Sequence, residues 1–158
     1  MTATDQVWLT KEQQHAWRAY LRASRALEVR LDTELQGAGL SFAEYELLSM
    51  LSEAPEGSMR MSQLADLIIQ SRSRVTHTAN RLERRGWVVR SDAPEDRRGV
   101  VLSLTVPGWD TVRRAARLHV QGVREHFIEQ IGVHDLEVLG EAMDAVRRHL
   151  TGKDTEVA

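Results

Sequence analysis

Polar side chains recur along one face of a short segment, residues 71–85, in a pattern suited to binding nucleic acid. A helical repeat of 3.6 residues places four of them together, opposite an apolar stripe. They are Ser73, His77, Asn80 and Arg84. Hydroxyl, imidazole, amide and guanidinium groups supply the hydrogen-bond donors and acceptors that recognise base edges and phosphates. Because a solvated helix face carries similar residues, the flanking segments have to decide between the two interpretations.

Those flanking segments complete a winged helix-turn-helix pattern. Ser62 is predicted to cap a brief helix, and Ser71 to cap the polar helix after a turn at residues 70–71. Gly86 ends that helix, and two β-branched runs at residues 87–90 and 100–104 follow as a β-ribbon. A helix-turn-helix places its second helix in the DNA major groove, and a ribbon beside it can reach the minor groove.

The predicted tip of the ribbon carries the sequence Asp96-Arg97-Arg98-Gly99. An aspartate beside two arginines can hold one guanidinium in a bidentate pair while the other projects. A projecting arginine suits the negative potential of a narrow minor groove. An exposed charge pair on a loop, which stabilises by only about 0–1 kcal/mol, would have the same sequence.

Charge along the chain is uneven. The formal net charge is −2, yet residues 70–99 contain eight arginines and four acidic residues, a net charge of +4. A basic segment within an acidic chain predicts one defined surface for nucleic acid and repulsion elsewhere.

Several classes of protein are excluded or disfavoured. The chain has no cysteine, which excludes disulfides, thiol nucleophiles and thiol redox sensing. No Ser-His-Asp set, phosphate loop, GxGxxG or HExxH motif occurs, so we expect neither an enzyme nor a cofactor. No signal core or run of about 18 apolar residues is present, so we expect a cytoplasmic protein without membrane contact.

Long amphipathic helices are predicted on both sides of the motif. Capping boxes at residues 10–13 and 41–44 begin helices that end near Leu35 and Glu53. Another helix runs from residue 105 to about 130, and a last one from about 135 to 150 has apolar residues in a three-four spacing. A first helix of roughly 40 Å is too long to be covered by one small core, so we expect it to pack on a partner subunit.

The predicted fold class is mainly α with a small β-ribbon (α+β). It is a winged helix-turn-helix with long N- and C-terminal dimerisation helices. The predicted domain order is an N-terminal dimerisation helix at 1–39, the DNA-binding lobe at 40–105, C-terminal dimerisation helices at 106–150 and a flexible tail at 151–158.

With these elements in place, the chain resembles the MarR (multiple antibiotic resistance regulator) family of bacterial transcription regulators. The matching residues are Leu64-Ala65, Ser71 to Val75, Arg81 to Val88, Asp96-Arg97-Arg98, Leu102 to Thr105, and Gly108. The wing motif, its spacing to the strand and the following Thr-x-x-Gly are its most specific parts.

The resemblance implies a homodimeric DNA-binding regulator, a repressor by expectation, that places two recognition helices in successive major grooves of a pseudo-palindromic operator. It assigns to the recognition helix Ser71, Arg72, Ser73, Arg74, Thr76, His77, Asn80, Arg81 and Arg84. It assigns to the wing Arg90, Asp96, Arg97 and Arg98, with Arg98 our choice for the minor groove. We expect His77 and Asn80 to read base edges, and Arg72 and Arg84 to contact phosphates.

The resemblance also implies a small aromatic or phenolic effector bound between the dimerisation helices and the DNA-binding lobe. Candidate wall residues are Trp17, Tyr20, Met50 and His119, which equally fit an ordinary core or dimer interface. One alternative function is a metal-responsive regulator with ligands among His15, His119, Glu125, His126 and His134, although no metal site is assigned. Another is a winged helix that binds protein instead of DNA.

Overall fold

Six α-helices and a small sheet make up the described part of the chain. The computed structural model describes residues 8–93 and 96–152, and the backbone alone for residues 96–98. The helices are α1 (Lys11–Gly37), α2 (Phe42–Glu53), α3 (Met61–Leu67), α4 (Arg72–Arg84), α5 (Val106–His126) and α6 (Val133–Thr151). The strands are β1 (Ser58–Arg60), β2 (Val88–Ala93) and β3 (Asp96–Leu104), and short 3-10 turns cover Pro55–Gly57 and Ile128–Gln130.

Both predicted capping boxes are present, and they fix where α1 and α2 begin. The hydroxyl of Thr10 accepts a hydrogen bond from the backbone N–H of Gln13, whose side chain accepts one from the N–H of Thr10. Ser41 and Glu44 form the same pair at α2. Asp32 of α1 ties the two helices together, because its Oδ1 accepts a hydrogen bond of 2.7 Å from the backbone N–H of Phe42.

The start of α3 differs from the prediction. The helix begins at Met61, so Ser62 lies inside it and is not its cap. The side chain of Gln63 instead accepts a long hydrogen bond, 3.4 Å, from the backbone N–H of Arg60. Strand β1 ends at Arg60 and leads directly into the helix, which leaves no separate capping residue.

The sheet is antiparallel, in the order β1-β3-β2. Val89 pairs with Ser103 in the ribbon, and Ser103 also pairs with Ser58 of β1, whose hydroxyl lies 2.8 Å from its own. The apolar core joins the sheet to α2, α3 and α4, and its fully buried side chains include Leu47, Leu48, Leu51, Leu64, Val75, Leu82 and Leu102. The predicted fold class, α-helical with a small ribbon, is confirmed.

The Thr-x-x-Gly sequence is a structural joint between the ribbon and α5. The Thr105 hydroxyl donates to the carbonyl of Gly86 at 2.6 Å and accepts from the N–H of Gly108 at 3.1 Å. A Cβ at Gly108 would lie 2.0 Å from the carbonyl oxygen of Trp87, so only glycine fits there. This joint fixes where α4 ends relative to the start of α5.

The chain divides into two compact units, residues 1–120 and 121–158, with the boundary inside α5. The second unit contains α6, which buries none of its residues. The apolar residues in three-four spacing that were predicted for α6 are largely exposed, and Met143, Val146 and Leu150 have 37%, 50% and 75% of their surface exposed. No helix in the described ranges combines the length and the apolar composition needed to cross a membrane.

Candidate nucleic-acid interface

Helix α4 carries the polar face that the sequence predicts. The Ser71 side chain caps its start by accepting from the N–H of Arg74. Its buried residues are Val75, Thr78, Ala79 and Leu82, so the predicted apolar stripe is present with Thr78 added to it. The exposed residues are Arg72, Ser73, Arg74, Thr76, His77, Asn80 and Arg84, whereas Arg81 is only partly exposed. Eight of the nine residues predicted for DNA contact on this helix and its cap, Ser71 included, therefore share the solvent-facing surface.

Two arginines on this surface are unpaired. Within residues 8–93 and 96–152, the side chains of Arg72 and Arg84 make no ion pair or hydrogen bond, and both are exposed. An unpaired guanidinium is free to neutralise a phosphate and release its counterion. The geometry therefore suits the phosphate contacts predicted for these two residues.

Arg81 and Arg85, near the C-terminal end of α4, are held by a buried carboxylate of α2. Glu44, 6% exposed, lies 3.3 Å from the Nε of Arg81 and 3.5 Å from an Nη of Arg85. The guanidinium of Arg85 also stacks 3.7 Å from the ring centre of Trp87. The C-terminal half of α4 is thus fixed to the start of α2, and Arg81, predicted as a DNA contact, has an intramolecular partner.

Arg90, also predicted as a wing contact, has partners on α4. Its Nη1 donates to the carboxylate of Glu83 and its Nη2 donates to the carbonyl oxygen of Thr76 at 3.4 Å. The guanidinium therefore links β2 to the polar side of the recognition helix. The side chains of Asp96, Arg97 and Arg98 lie outside the described residues, so their predicted roles stay predictions.

A polar crevice adjoins the recognition helix. Its larger part, about 540 Å³, lies between α1, the start of α2 and α4, and its lining includes Glu28, Asp32, Phe42, Glu46, Gln70 and Arg74. Its smaller part, about 270 Å³, is lined by Ala43, Gln70, Ser73, Arg74, His77, Thr78 and Arg81. Four residues predicted to contact DNA, Ser73, Arg74, His77 and Arg81, therefore also line this crevice, which the sequence does not predict.

Charge in this crevice is only partly balanced. Burial, together with the nearby carboxylate of Glu28, raises the pKa of Glu46, while Arg74 acts in the opposite direction. Gln70 donates a hydrogen bond of 3.0 Å to Glu46, which joins the helix-turn-helix turn to α2. Gln70 was missed as a candidate because a glutamine in a turn has no distinctive sequence signal.

The four predicted effector-pocket residues do not line this crevice. Trp17 and Tyr20 stack with ring centres 6.0 Å apart and are 52% and 47% exposed. Met50 packs on the core, and His119 lies against Tyr45 and Phe42. The predicted effector role of these four residues stays a prediction.

The residues of the metal-responsive alternative can also be placed. Within the described part of the chain, no three histidine, aspartate or glutamate side chains come together where they could hold one ion. His119 is flanked by aromatic rings instead of carboxylates, and burial lowers its pKa.

Comparison with known proteins supplies relatives for this arrangement. A family model described as the MarR family matches residues 38–99. The HTH-type transcriptional regulator PecS of Dickeya dadantii is 30% identical over 134 residues, 82% of this chain and 78% of PecS. The transcriptional repressor MprA of Escherichia coli K12 is 32% identical over 90 residues, 57% of this chain and 51% of MprA.

Two solved structures from Streptomyces coelicolor are similar over nearly the whole chain. AbsC, a MarR family transcriptional regulator, superposes with a TM-score of 0.88 at 41% identity and covers 92% of this chain and 99% of its own. Sco3205, a regulator of the same family solved in complex with DNA, has a TM-score of 0.88 at 40% identity and covers 95% and 97%.

Proposed function

The chain belongs to the MarR family of DNA-binding transcriptional regulators, and from this we propose that it is a homodimeric repressor of a pseudo-palindromic operator. The carrying observation is the solvent-facing side of α4, where base-reading side chains lie between unpaired arginines. Sco3205, which was solved with DNA, supports the same use of this fold. MprA, named a transcriptional repressor, supports the direction of control.

The homodimer is supported by apolar side chains that this subunit leaves uncovered. Trp17, Tyr20 and Val29 on α1 are 52%, 47% and 68% exposed. On α6, Val138, Val146 and Leu150 are at least half exposed. Exposed apolar residues at helical spacing favour packing on another helix, and a second copy offers identical faces. Light scattering of the purified chain should give the mass of two subunits.

Two copies would present two α4 helices to one side of DNA. Half-sites about 34 Å apart, one helical turn, are expected for such a dimer. Selection of bound duplexes from a random pool should therefore return an inverted repeat with that spacing. Equal binding to all sequences, or no enrichment, would contradict a sequence-specific regulator, and a winged helix that binds only protein would give no enrichment.

Substitutions on the proposed interface should separate specificity from general affinity. His77→Ala or Asn80→Ala should change which half-site sequences are preferred, because imidazole and amide groups discriminate base edges. Arg98→Ala should weaken binding to all sequences, because a minor-groove arginine responds to groove width and potential. If Arg98→Ala binds as tightly as the unaltered protein, the minor-groove assignment is wrong.

We further propose that a small effector acts at the crevice beside α4. Ser73, Arg74 and His77 line it, so an occupant would contact side chains that also face DNA. A thermal-shift screen of phenols, aromatic acids and amines should find a compound that raises the melting temperature and releases the selected duplex. Ala43→Leu, which narrows both parts of the crevice, should abolish that response while DNA binding persists.

A further inference from the structure

We propose that Arg90 does not bind DNA and is a positioning residue that sets the angle of the wing, strands β2 and β3, relative to the recognition helix α4. The proposal rests on the proposed DNA-binding function, because it assigns a role within that interface. It departs from the assignment of Arg90 as a DNA contact.

The guanidinium of Arg90 is engaged at two points on α4. One nitrogen pairs with the carboxylate of Glu83, and another donates to the carbonyl oxygen of Thr76 at 3.4 Å. Because one guanidinium contacts a side-chain carboxylate and a backbone carbonyl of α4 at the same time, the strand cannot rotate about the helix without breaking a contact. The Arg90 side chain is 24% exposed, consistent with a group enclosed between two elements.

The charge of Arg90 is also compensated. Glu83 supplies a carboxylate directly on the guanidinium, whereas Arg84, the next residue on the helix, has no partner in the described ranges. A compensated arginine adds little to counterion release on DNA, and an unpaired one adds its full share. This difference separates a positioning arginine from a phosphate ligand by salt dependence.

The contacts of Arg90 with Glu83 and Thr76, here called the clamp, have a function that follows from the geometry of the fold. When α4 enters a major groove, the direction of β2 and β3 decides where the ribbon meets the neighbouring groove. The joint at Thr105 and Gly108 fixes the base of the ribbon, and Arg90 holds β2 further along. A wing released from α4 would reach the minor groove in many orientations, and few of them would bind.

The closing experiment compares Arg90→Met, Glu83→Gln and the double variant on two probes. One is a duplex selected by the unaltered protein, and the other is a 30-base-pair duplex of random sequence at low salt. Each single variant should bind the selected duplex about tenfold more weakly, a loss comparable to that caused by one mismatched base pair in a binding site. The double variant should be no weaker than either single one, because both remove the same clamp.

Salt dependence is the measurement that a DNA ligand and a positioning residue affect differently. Arg90→Met should leave the slope of log affinity against log salt unchanged on both probes. Arg84→Ala, the matched control, should lower that slope by about 1.8 for a dimer that loses one phosphate contact per subunit. Hydroxyl-radical footprinting of Arg90→Met should lose the protected minor-groove sugars, while methylation by dimethyl sulfate should still show protection of guanine N7 in the major groove.

The acidic partner gives a second discriminating result. Removing a carboxylate near DNA ordinarily strengthens binding by reducing repulsion. Asp92, an exposed residue on the same strand as Arg90, is the control, and Asp92→Asn should strengthen binding or have no effect. Glu83→Gln should instead weaken binding. Tighter binding by Glu83→Gln, or a slope for Arg90→Met that falls as for Arg84→Ala, would overturn the proposal.

Failure of the proposed function is distinguishable from failure of this inference. If selection enriches no sequence, the operator-binding function fails, and the slope on the random duplex still tests whether Arg90 contacts phosphate. A urea-unfolding double-mutant cycle between Arg90 and Glu83 tests the clamp without DNA. Additive effects in that cycle would show that the two residues are not coupled and would overturn the proposal.

Discussion

The two sides of the recognition helix use the same residue type for opposite purposes. Toward the protein, Arg81 and Arg85 lie against the buried Glu44, and Arg85 stacks on Trp87. Toward solvent, Arg72 and Arg84 have no partner in the described ranges. Within one short helix and its cap, arginine is therefore both part of the framework and part of the exposed interface.

This difference shows that net charge overstates the charge available to a ligand. Residues 70–99 carry a net charge of +4, but three of their arginines, at positions 81, 85 and 90, face carboxylates. A guanidinium partly removed from water is costly unless a counter-charge lies beside it. Substitutions among the residues that pack within the protein, here called the framework side, should change the free energy of unfolding and leave the salt dependence of DNA binding unchanged. Substitutions among the exposed, unpaired residues, the solvent side, should do the reverse.

The largest effect on stability is expected at the joint between the ribbon and α5. Gly108→Ala would place a Cβ 2.0 Å from the carbonyl oxygen of Trp87, so the backbone must shift. We expect the free energy of unfolding to fall by about 3 kcal/mol. Urea unfolding measures it, and Gly37→Ala is the control, because a Cβ there meets nothing within 4 Å. Equal stability of the two variants would mean that the joint is not rigid.

Glu44→Gln should have the next largest effect. The amide keeps the shape and can still accept from the N–H of Ser41, but it loses the charge that faces Arg81 and Arg85. Since both arginines are more than a third exposed, we expect a loss of about 1–2 kcal/mol, below the cost of breaking a fully buried pair. Glu53→Gln, at the exposed end of the same helix, should cost less than about 0.5 kcal/mol.

Arg72→Ala tests the solvent side. Operator affinity should fall about tenfold, and the salt slope should fall by about 1.8 per dimer, because one phosphate contact per subunit is lost. The free energy of unfolding should change by less than about 0.5 kcal/mol, as for other exposed positions. A stability loss similar to that of Glu44→Gln would remove the distinction between the two sides of the helix.

Much of the fold was predictable because the signals are local. Capping boxes at Thr10 and Ser41, the β-branched runs and the helical repeat of α4 each depend on residues a few positions apart. The predicted start of α3 was wrong. Ser62 is a residue type that often caps helices, but β1 pairs with β3 and leads directly into the helix at Met61. Sheet pairing with a strand some 40 residues later leaves no local trace.

The site was predictable in its exposed residues and not in its framework. The helical repeat assigns His77 and Asn80 to the outer face without any tertiary information. The pairing of Glu44 with Arg85, 41 residues away, depends on how α2 packs on α4, and nothing in the spacing distinguishes Arg85 from Arg84. The crevice lined by Gln70 and Arg74 likewise exists only after three helices have packed.

Substitution of Ile69, in the turn between α3 and α4, should raise the free energy of unfolding, by less than Gly108→Ala or Glu44→Gln lowers it. Ile69 has a φ of 51° although it is β-branched, and it is 63% exposed. Glycine adopts this conformation without strain, so Ile69→Gly should stabilise by about 0.5–1 kcal/mol. Thermal unfolding tests this, and Leu67→Gly, in the helical end of α3, should destabilise instead. If Ile69→Gly is destabilising, its side chain contributes packing that outweighs the strain.

The smallest expected effect is a pH dependence of the framework side. The Nδ1 of His119 is buried without a hydrogen-bond partner among the described residues, and its ring lies 4.5 Å from that of Tyr45. Burial lowers its pKa below the ordinary value of 6.5, so the unfolded chain binds a proton more readily. Stability should be fully present above pH 6.5 and decline as the pH falls from there toward the folded-state pKa.

One proton can change stability by at most about 1.4 kcal/mol per pH unit, and incomplete burial makes the effect of His119 smaller. Glu46 acts in the opposite sense, because its raised pKa makes the folded chain bind a proton more readily above pH 4.5. Urea unfolding at pH 7.5 and 6.0 should show a loss of stability that His119→Phe abolishes. Because His77 is exposed on α4 and belongs to the proposed operator contacts, His77→Phe should leave this stability profile unchanged. A changed profile would mean that the proposed DNA-facing surface and the buried His119 are coupled.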